Sequence, residues 1–286
     1  MDGVITDGTI TGFEVVDDDA PDQPLLQVTG LNLDAALILN AYIGGSDDVD
    51  TFLQAEFYDQ DMVIVGSSDN DDIDLLDHKQ DYGLSYEGAV TVDLGDGDDF
   101  FIGATAGVTV QGGTGRDYIE TGKGADIIDG GNATDVIQTG EGRDVLIGYR
   151  GDDALIGGKK RDKLEGGRGE DVLIGEEGRD VLTGGGGADL FIFDLTSGKD
   201  KISDFTLGED RLVFIDGPPS LGPVTDLDPA GFTFTDRTNG VLITYDGGNE
   251  VYLAGVSAAD LMGGTEWVLD GATALSYVDS LFEAVF

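Results

Sequence analysis

The chain has no cysteine, one histidine and six prolines in 286 residues, and its 58 acidic side chains face only 15 basic ones. Without cysteine there is no disulfide scaffold and no thiolate metal site. A lone histidine, His78 in the acidic stretch LLDHKQDYG, excludes an HExxH zinc site and any histidine-rich metal centre, and is expected to be a solvated surface residue. So few Lys and Arg, for a formal charge of −43, exclude nucleic acid and anionic membranes as partners. No run approaches the ~18–20 apolar residues of a transmembrane helix. The opening MDGVITDGTI lacks the basic segment and apolar run of a secretory signal peptide. Neither a GxSxG elbow nor a GxxxxGK[ST] phosphate loop occurs. Cations are the natural partner of what remains. The 47 glycines, well above the usual ~7 %, point to a structure made largely of turns.

The glycines have a period of nine. From Leu94 the chain reads LGDGDDFFI, GATAGVTVQ, GGTGRDYIE, TGKGADIID, GGNATDVIQ, TGEGRDVLI, GYRGDDALI, GGKKRDKLE, GGRGEDVLI, GEEGRDVLT and GGGGADLFI, eleven units ending at Ile192 without insertion or deletion. The sixth place holds Asp99, Val108, Asp117, Asp126, Asp135, Asp144, Asp153, Asp162, Asp171, Asp180 and Asp189; the eighth always holds a large apolar residue, from Phe101 to Phe191. Each unit divides into a glycine-rich turn and a three-residue strand whose middle side chain points inward. One apolar residue cannot fold a unit alone, whereas stacked units share a continuous inner column, as in a solenoid. The aspartates then pile up in rows, where a hard divalent cation is needed to offset their repulsion.

These units resemble the GGxGxDxUx nonapeptide of the repeats-in-toxin (RTX) family, and GGTGRDYIE and GGRGEDVLI match it at every defined place. The resemblance implies an all-β fold: a parallel β-roll or β-solenoid of stacked nonapeptide turns with a β-rich carboxy-terminal cap. It implies Ca²⁺ between unit n and unit n + 2. The ligands would be Asp99, Asp117, Asp126, Asp135, Asp144, Asp153, Asp162, Asp171, Asp180 and Asp189, with backbone carbonyls of Gly113, Gly115, Gly122, Gly124, Gly130, Gly140, Gly142, Gly148, Gly157, Gly166, Gly175 and Gly184. Ala133 and Lys160 depart from the fourth-place glycine, and Tyr149 and Glu176 from the second-place glycine, so roughly five to eight ions are expected.

The segments FIFDLTSGKDKISDFTLGEDRLVF and GVLITYDGGNEVYLAGVSAADL are similar to the flank that closes such rolls, and the ending LFEAVF resembles the carboxy-terminal signal of type I secretion. The chain divides into residues 1–93, an acidic amino-terminal region; 94–192, the calcium-binding repeats; and 193–286, the β flank. The first region is an irregular extension of the solenoid or a small β domain. Val92 fits the inward column continued backward and favours the former, while Asp74 in the same frame breaks it. Arg116, Arg143, Arg161 and Arg179, each just before a column aspartate, are expected to offset local negative charge, and Trp267, Tyr245 and Tyr252 to be core. Asp17–Asp19 reads as a solvated turn. Asp47–Asp50 and Asp69–Asp74 are candidates for irregular Ca²⁺ sites.

The resemblance implies a protein secreted by the type I machinery of a Gram-negative bacterium, unfolded where Ca²⁺ is scarce and folded by it outside, where affinities of ~10⁻⁴–10⁻³ M suffice. No catalytic residue stands out. The chain reads as a non-enzymatic surface-layer, matrix or filament component, capable of self-association. The alternative is a module binding cell-surface polysaccharide, and a polysaccharide lyase or epimerase comes third. The negative charge is unevenly spread. Residues 1–93 hold 22 acids and one base, residues 94–192 hold 20 and ten, and residues 193–286 hold 16 and four.

Overall fold

The structure is a computed structural model describing residues 9–16, 24–34, 40–43, 49–54, 62–66, 68–74, 89–103, 107–215, 232–245 and 248–263; before residue 64 the description is of backbone pairing. The chain winds as a parallel β-solenoid between two large sheets. One holds thirteen strands, among them Val90–Asp96, Val108–Thr114, Ile127–Asn132, Val145–Arg150, Lys163–Arg168 and Val181–Gly186. The other holds ten, among them Phe100–Ile102, Tyr118–Glu120, Val136–Gln138, Ala154–Ile156, Val172–Ile174 and Leu190–Phe193. Two nine-residue units make one turn of the coil.

Register follows from the eighth-place residues, since a slip of one would turn every apolar side chain out to water. In the thirteen-stranded sheet Val92 pairs with Val110, and the line continues through Ile128, Leu146, Leu164, Leu182 and Ile202 to Leu253. In the ten-stranded sheet it runs from Ile73 through Phe101, Ile119, Ile137, Leu155, Leu173 and Phe191 to Leu212. All of these side chains are buried and form one core. At ~1.5–3 kcal/mol for burying each such side chain, this double column is the main favourable term of the coil.

The sequence assigns one apolar residue per unit to packing, but the ten-stranded sheet uses more. Val136, Ala154, Val172, Leu190, Ile174 and Ile192, neighbours in sequence of the inner column and therefore on the opposite face of the sheet, are also buried and form a second cluster with Val213 and Ile215. These strands are apolar on both faces, the pattern of a sheet buried on both sides.

Strand Met62–Val65 joins parallel to Val90–Asp96, and Asp71–Asp74 parallel to Phe100–Ile102, with partners 28 residues apart. The ten extra residues put Ile73, not Asp74, opposite Phe101, which is why the nine-residue frame breaks at Asp74. Two antiparallel pairs lie further upstream, Thr9–Val16 with Pro24–Asp34 and Asn40–Ile43 with Val49–Gln54. At the other end Lys199–Ile202 and Asn249–Ala254 extend the thirteen-stranded sheet, followed by the antiparallel strands Gly240–Tyr245 and Thr233–Arg237. There the core ends in aromatic rings: Phe214 stacks on Phe193 with centroids 5.6 Å apart and meets Phe232 and Tyr245 edge-on at 4.8 and 4.9 Å. Tyr245 is thus core, and Tyr252 is half-buried with its hydroxyl on the Thr238 carbonyl. His78, Trp267, Asp17–Asp19, Asp47, Asp48 and the LFEAVF segment lie outside the described residues. A short helix, Ala258–Gly263, ends the described chain, and no described helix is long and apolar enough to cross a membrane.

Candidate calcium-binding rows

Each nonapeptide turn brings its aspartate inward at a sheet edge, so the ten sequence-predicted aspartates fall into two rows. All ten are buried, at 2 % exposure or less. One row stacks Asp99, Asp117, Asp135, Asp153, Asp171 and Asp189; the other stacks Asp126, Asp144, Asp162 and Asp180. Along each row the carboxylate of one turn accepts a hydrogen bond from the backbone of the turn before. In the first, the N–H groups of Asp71, Asp99, Asp117, Asp135, Asp153, Asp171 and Asp189 donate to Oδ1 of Asp99, Asp117, Asp135, Asp153, Asp171, Asp189 and Asp210 at 2.7–3.1 Å. In the second, those of Val108, Asp126, Asp144, Asp162 and Asp180 donate to Oδ1 of Asp126, Asp144, Asp162, Asp180 and Asp200 at 2.8–2.9 Å.

Only one oxygen of each carboxylate is spent in this way. Oδ2 of Asp99, Asp117, Asp135, Asp144, Asp153, Asp162, Asp171, Asp180 and Asp200 is buried with no hydrogen-bond partner. Leaving such an oxygen unpaired costs more than an ordinary hydrogen bond contributes. Desolvation therefore pushes these carboxyls upward, Asp99 and Asp171 to about 8, Asp135 to about 9 and Asp153 to about 7, with repulsion from neighbouring aspartates adding at all four. Regularly spaced, unpaired, buried carboxylate oxygens fit a hard cation that takes oxygen ligands. No group of three or more acidic or histidine side chains converges among the described residues. A cation here would draw on one or two aspartates and complete its shell with carbonyl oxygen.

Glycine is needed where the chain passes the carboxylates. A Cβ at Gly130, Gly148, Gly166, Gly175 or Gly184 would run into Oδ2 of Asp135, Asp153, Asp171, Asp180 or Asp189. Several carbonyls proposed from the sequence have other work. Those of Gly122 and Gly140 accept the N–H of Glu141 and Lys159 at 3.0 and 2.7 Å, and that of Gly157 accepts the Thr139 hydroxyl at 2.6 Å. At Gly113, Gly115, Gly124 and Gly142 the turns of successive coils stack backbone on backbone. The four departures from glycine keep the backbone the motif demands. Ala133, Tyr149, Lys160 and Glu176 all have positive φ, at 80°, 77°, 93° and 59°. Stacking forces side-chain-bearing residues into a region that ordinarily costs ~1–2 kcal/mol.

The row of four has a protein-made stop at its start. Val108 stands where an aspartate would, and Asp126 has its second oxygen held by the Thr121 hydroxyl at 2.7 Å. Asp200 and Asp210 escaped the sequence expectation, and Asp71 lies within the stretch Asp69–Asp74 that it singled out. Asp71, Asp200 and Asp210 continue the rows beyond the eleven units, each with the apolar residue two places on, Ile73, Ile202 or Leu212, in the inner column. The signal was present: GKDKI and GEDRL keep the fourth-place glycine, sixth-place aspartate and eighth-place apolar residue of the motif inside segments of other lengths.

Outside the rows, Arg116 pairs with Asp98 at 2.6 Å, as expected of a residue that offsets local charge. Arg143, Arg161 and Arg179 are exposed and make no ion pair among the described residues. They form a column one coil turn apart, beside the short sheet of Glu141–Gly142, Lys159–Lys160 and Glu177–Gly178.

No curated protein matches the chain. Among solved structures it is similar to the extracellular lipase LipA from Serratia marcescens, at 17 % identity and a TM-score of 0.27, over 68 % of this chain and 42 % of that one. The chain thus spans less than half of the lipase. The family model of the RTX calcium-binding nonapeptide repeat (4 copies) matches residues 109–137, 129–163 and 156–191. Residues 109–191 are therefore RTX calcium-binding nonapeptide repeats, wound as a parallel β-solenoid.

Proposed function

We propose that the chain is a secreted protein whose repeats fold on calcium outside the cell and which acts as a non-enzymatic structural component of a surface layer, matrix or filament. The observation that carries this reading is the set of nine buried, unpartnered Oδ2 atoms in two rows. Without a cation the folded coil must hold these carboxylates dry and facing one another, so an unfolded chain is favoured where calcium is scarce, a state suited to threading through the type I export channel. Bound calcium supplies the positive charge the rows lack, and its binding free energy becomes folding free energy. Five to eight ions are expected, with ligands drawn from the aspartate rows and turn carbonyls. Residues 1–93, 94–192 and 193–286 serve as acidic extension, calcium coil and closing flank. The continuous stack of turns supports a mechanical role, because each coil contacts its neighbours along one axis.

The column of Arg143, Arg161 and Arg179 supports a second reading, a module for acidic extracellular polysaccharide. Exposed guanidinium forks carried on backbone turns about 4.8 Å apart suit a row of carboxylates. Circular dichroism and light scattering of the full chain in calcium and in chelator test both. The first reading expects β signal and concentration-dependent polymers only in calcium. A full β signal in chelator sinks calcium-driven folding. A calcium-folded monomer retained on a polyuronate column, and released by R161A, favours the second reading.

A further inference from the structure

The repeat match ends at residue 191, yet the aspartate row runs past it. Strand Lys199–Ile202 pairs with Val181–Gly186 through Val181↔Lys201 and Leu182↔Ile202, an offset of 20 residues in place of 18, because the turn Asp194–Gly198 is longer than a nonapeptide turn. Despite the different spacing, Asp200 takes the place of the next row aspartate. Its Oδ1 accepts the Asp180 N–H at 2.9 Å, and Asp180 in turn accepts the Asp162 N–H at 2.8 Å. Asp180 and Asp200 are 1 % and 4 % exposed, and Oδ2 of each has no partner.

The other row closes differently. Asp210 receives the Asp189 N–H on Oδ1, and its Oδ2 accepts the Thr206 N–H at 2.7 Å. Where a row is to end, the protein supplies its own donor, as Thr206 does here and Thr121 does for Asp126. At Asp180 and Asp200 no hydroxyl or backbone donor takes the second oxygen, and the two carboxyls face each other. Two dry carboxylates facing each other repel strongly unless a proton or a cation lies between them.

We propose that Asp180, of the last full turn of the repeats, and Asp200, beyond them, form a divalent-cation site that fastens the carboxy-terminal hairpin to the end of the coil. The turn before Asp200 is tied to that hairpin. The Gly198 N–H donates to Asn249 Oδ1 at 3.2 Å, its carbonyl accepts the Glu250 N–H at 2.8 Å, and the Tyr245 hydroxyl donates to the Asp194 carbonyl at 3.2 Å. Neutralising the carboxylate pair removes the repulsion that would push strand Lys199–Ile202, and the hairpin paired to it, off the sheet. The cation expected is calcium, because both free groups are carboxylate oxygens. The proposal rests on the calcium reading of the rows but names a ligand, Asp200, that the repeats do not contain.

The test is ion stoichiometry and amide exchange on the full chain, comparing wild type with Asp200→Asn and Asp153→Asn. Asparagine keeps an oxygen for the Asp180 N–H and loses the anionic ligand. Asp200→Asn is expected to bind one ion fewer, or one ion at least tenfold more weakly, and to lose amide protection in 240–254 while 145–174 stay protected. Asp153→Asn should lose an ion within the repeats and keep the hairpin protected. If Asp200→Asn binds as many ions as wild type with equal affinity and an equally protected hairpin, the terminal site is refuted and the repeat sites stand. If wild type itself binds no calcium, the reading of the rows fails with it.

Discussion

The backbone N–H of Asp135 donates to Oδ1 of Asp153, eighteen residues on, at 2.8 Å, while Oδ2 of Asp153 is buried with no partner. One carboxylate thus does two separable jobs. Its first oxygen holds adjacent turns together, and its second waits for a positive charge.

Asp153→Asn and Asp153→Ala should therefore differ. Asparagine retains an acceptor for the Asp135 N–H and removes the buried charge, so it should cost one bound ion without breaking the coil. Alanine also leaves the buried Asp135 N–H unsatisfied, which adds ~1–3 kcal/mol of destabilisation. Chemical denaturation in saturating calcium, with ion counting by native mass spectrometry, would reveal the difference. Equal stability of the two variants would mean that the interturn hydrogen bond contributes nothing.

Without calcium, pH should control folding. Burial raises the carboxyls of Asp99, Asp135, Asp153 and Asp171 far above 3.8, to between about 7 and about 9, so the metal-free folded chain binds more protons than the unfolded one across that interval. The stability they contribute is present below the ordinary carboxyl value and is lost as pH rises through the raised values. In chelator, β signal should be larger near pH 5 than near pH 8. Calcium binding at neutral pH should release protons, measurable in a weakly buffered titration, and should tighten as pH rises.

Ala133→Gly should stabilise the calcium-loaded coil by about 1 kcal/mol, since Ala133 is held at φ 80° by the turns stacked against it. Gly115→Ala is the opposite case. Its Cβ would run into the Gly97 carbonyl of the preceding turn at a φ of 122°, so this variant should fail to reach the folded signal in calcium.

Leu155, fully buried midway along the inner column, should lose ~2–5 kcal/mol on truncation to Ala in a thermal melt in calcium. Loss of under 1 kcal/mol would mean that the column repacks around the gap.

A gain of function is also expected. Val108 donates its N–H to Asp126 exactly as a row aspartate would, and Thr121 occupies the second oxygen of Asp126. The double change Val108→Asp with Thr121→Gly should free that oxygen, lengthen the row by one carboxylate and add one calcium ion. An unchanged ion count would show that an unpartnered carboxylate oxygen is not what makes a site.

What the sequence determined by itself was the repeat: nine-residue spacing, one inward apolar residue and one aspartate per unit, hence the parallel coil, its register and ten of its row aspartates. These are local properties, set by side-chain alternation along short strands and by glycine at the turns, and they hold in every unit alike. Tertiary structure decided what depends on contact between turns. It gave each carboxylate one satisfied and one unsatisfied oxygen, because the donor is a backbone N–H eighteen residues away. It forced Ala133, Tyr149, Lys160 and Glu176 into the conformation of glycine, because neighbouring turns leave the backbone no other course. It buried the outer side of the ten-stranded sheet from Val136 to Ile192, which residue spacing alone could not assign to core or solvent. It also carried the rows on to Asp71, Asp200 and Asp210 across loops of other lengths, since a coil keeps its register by stacking and not by counting residues.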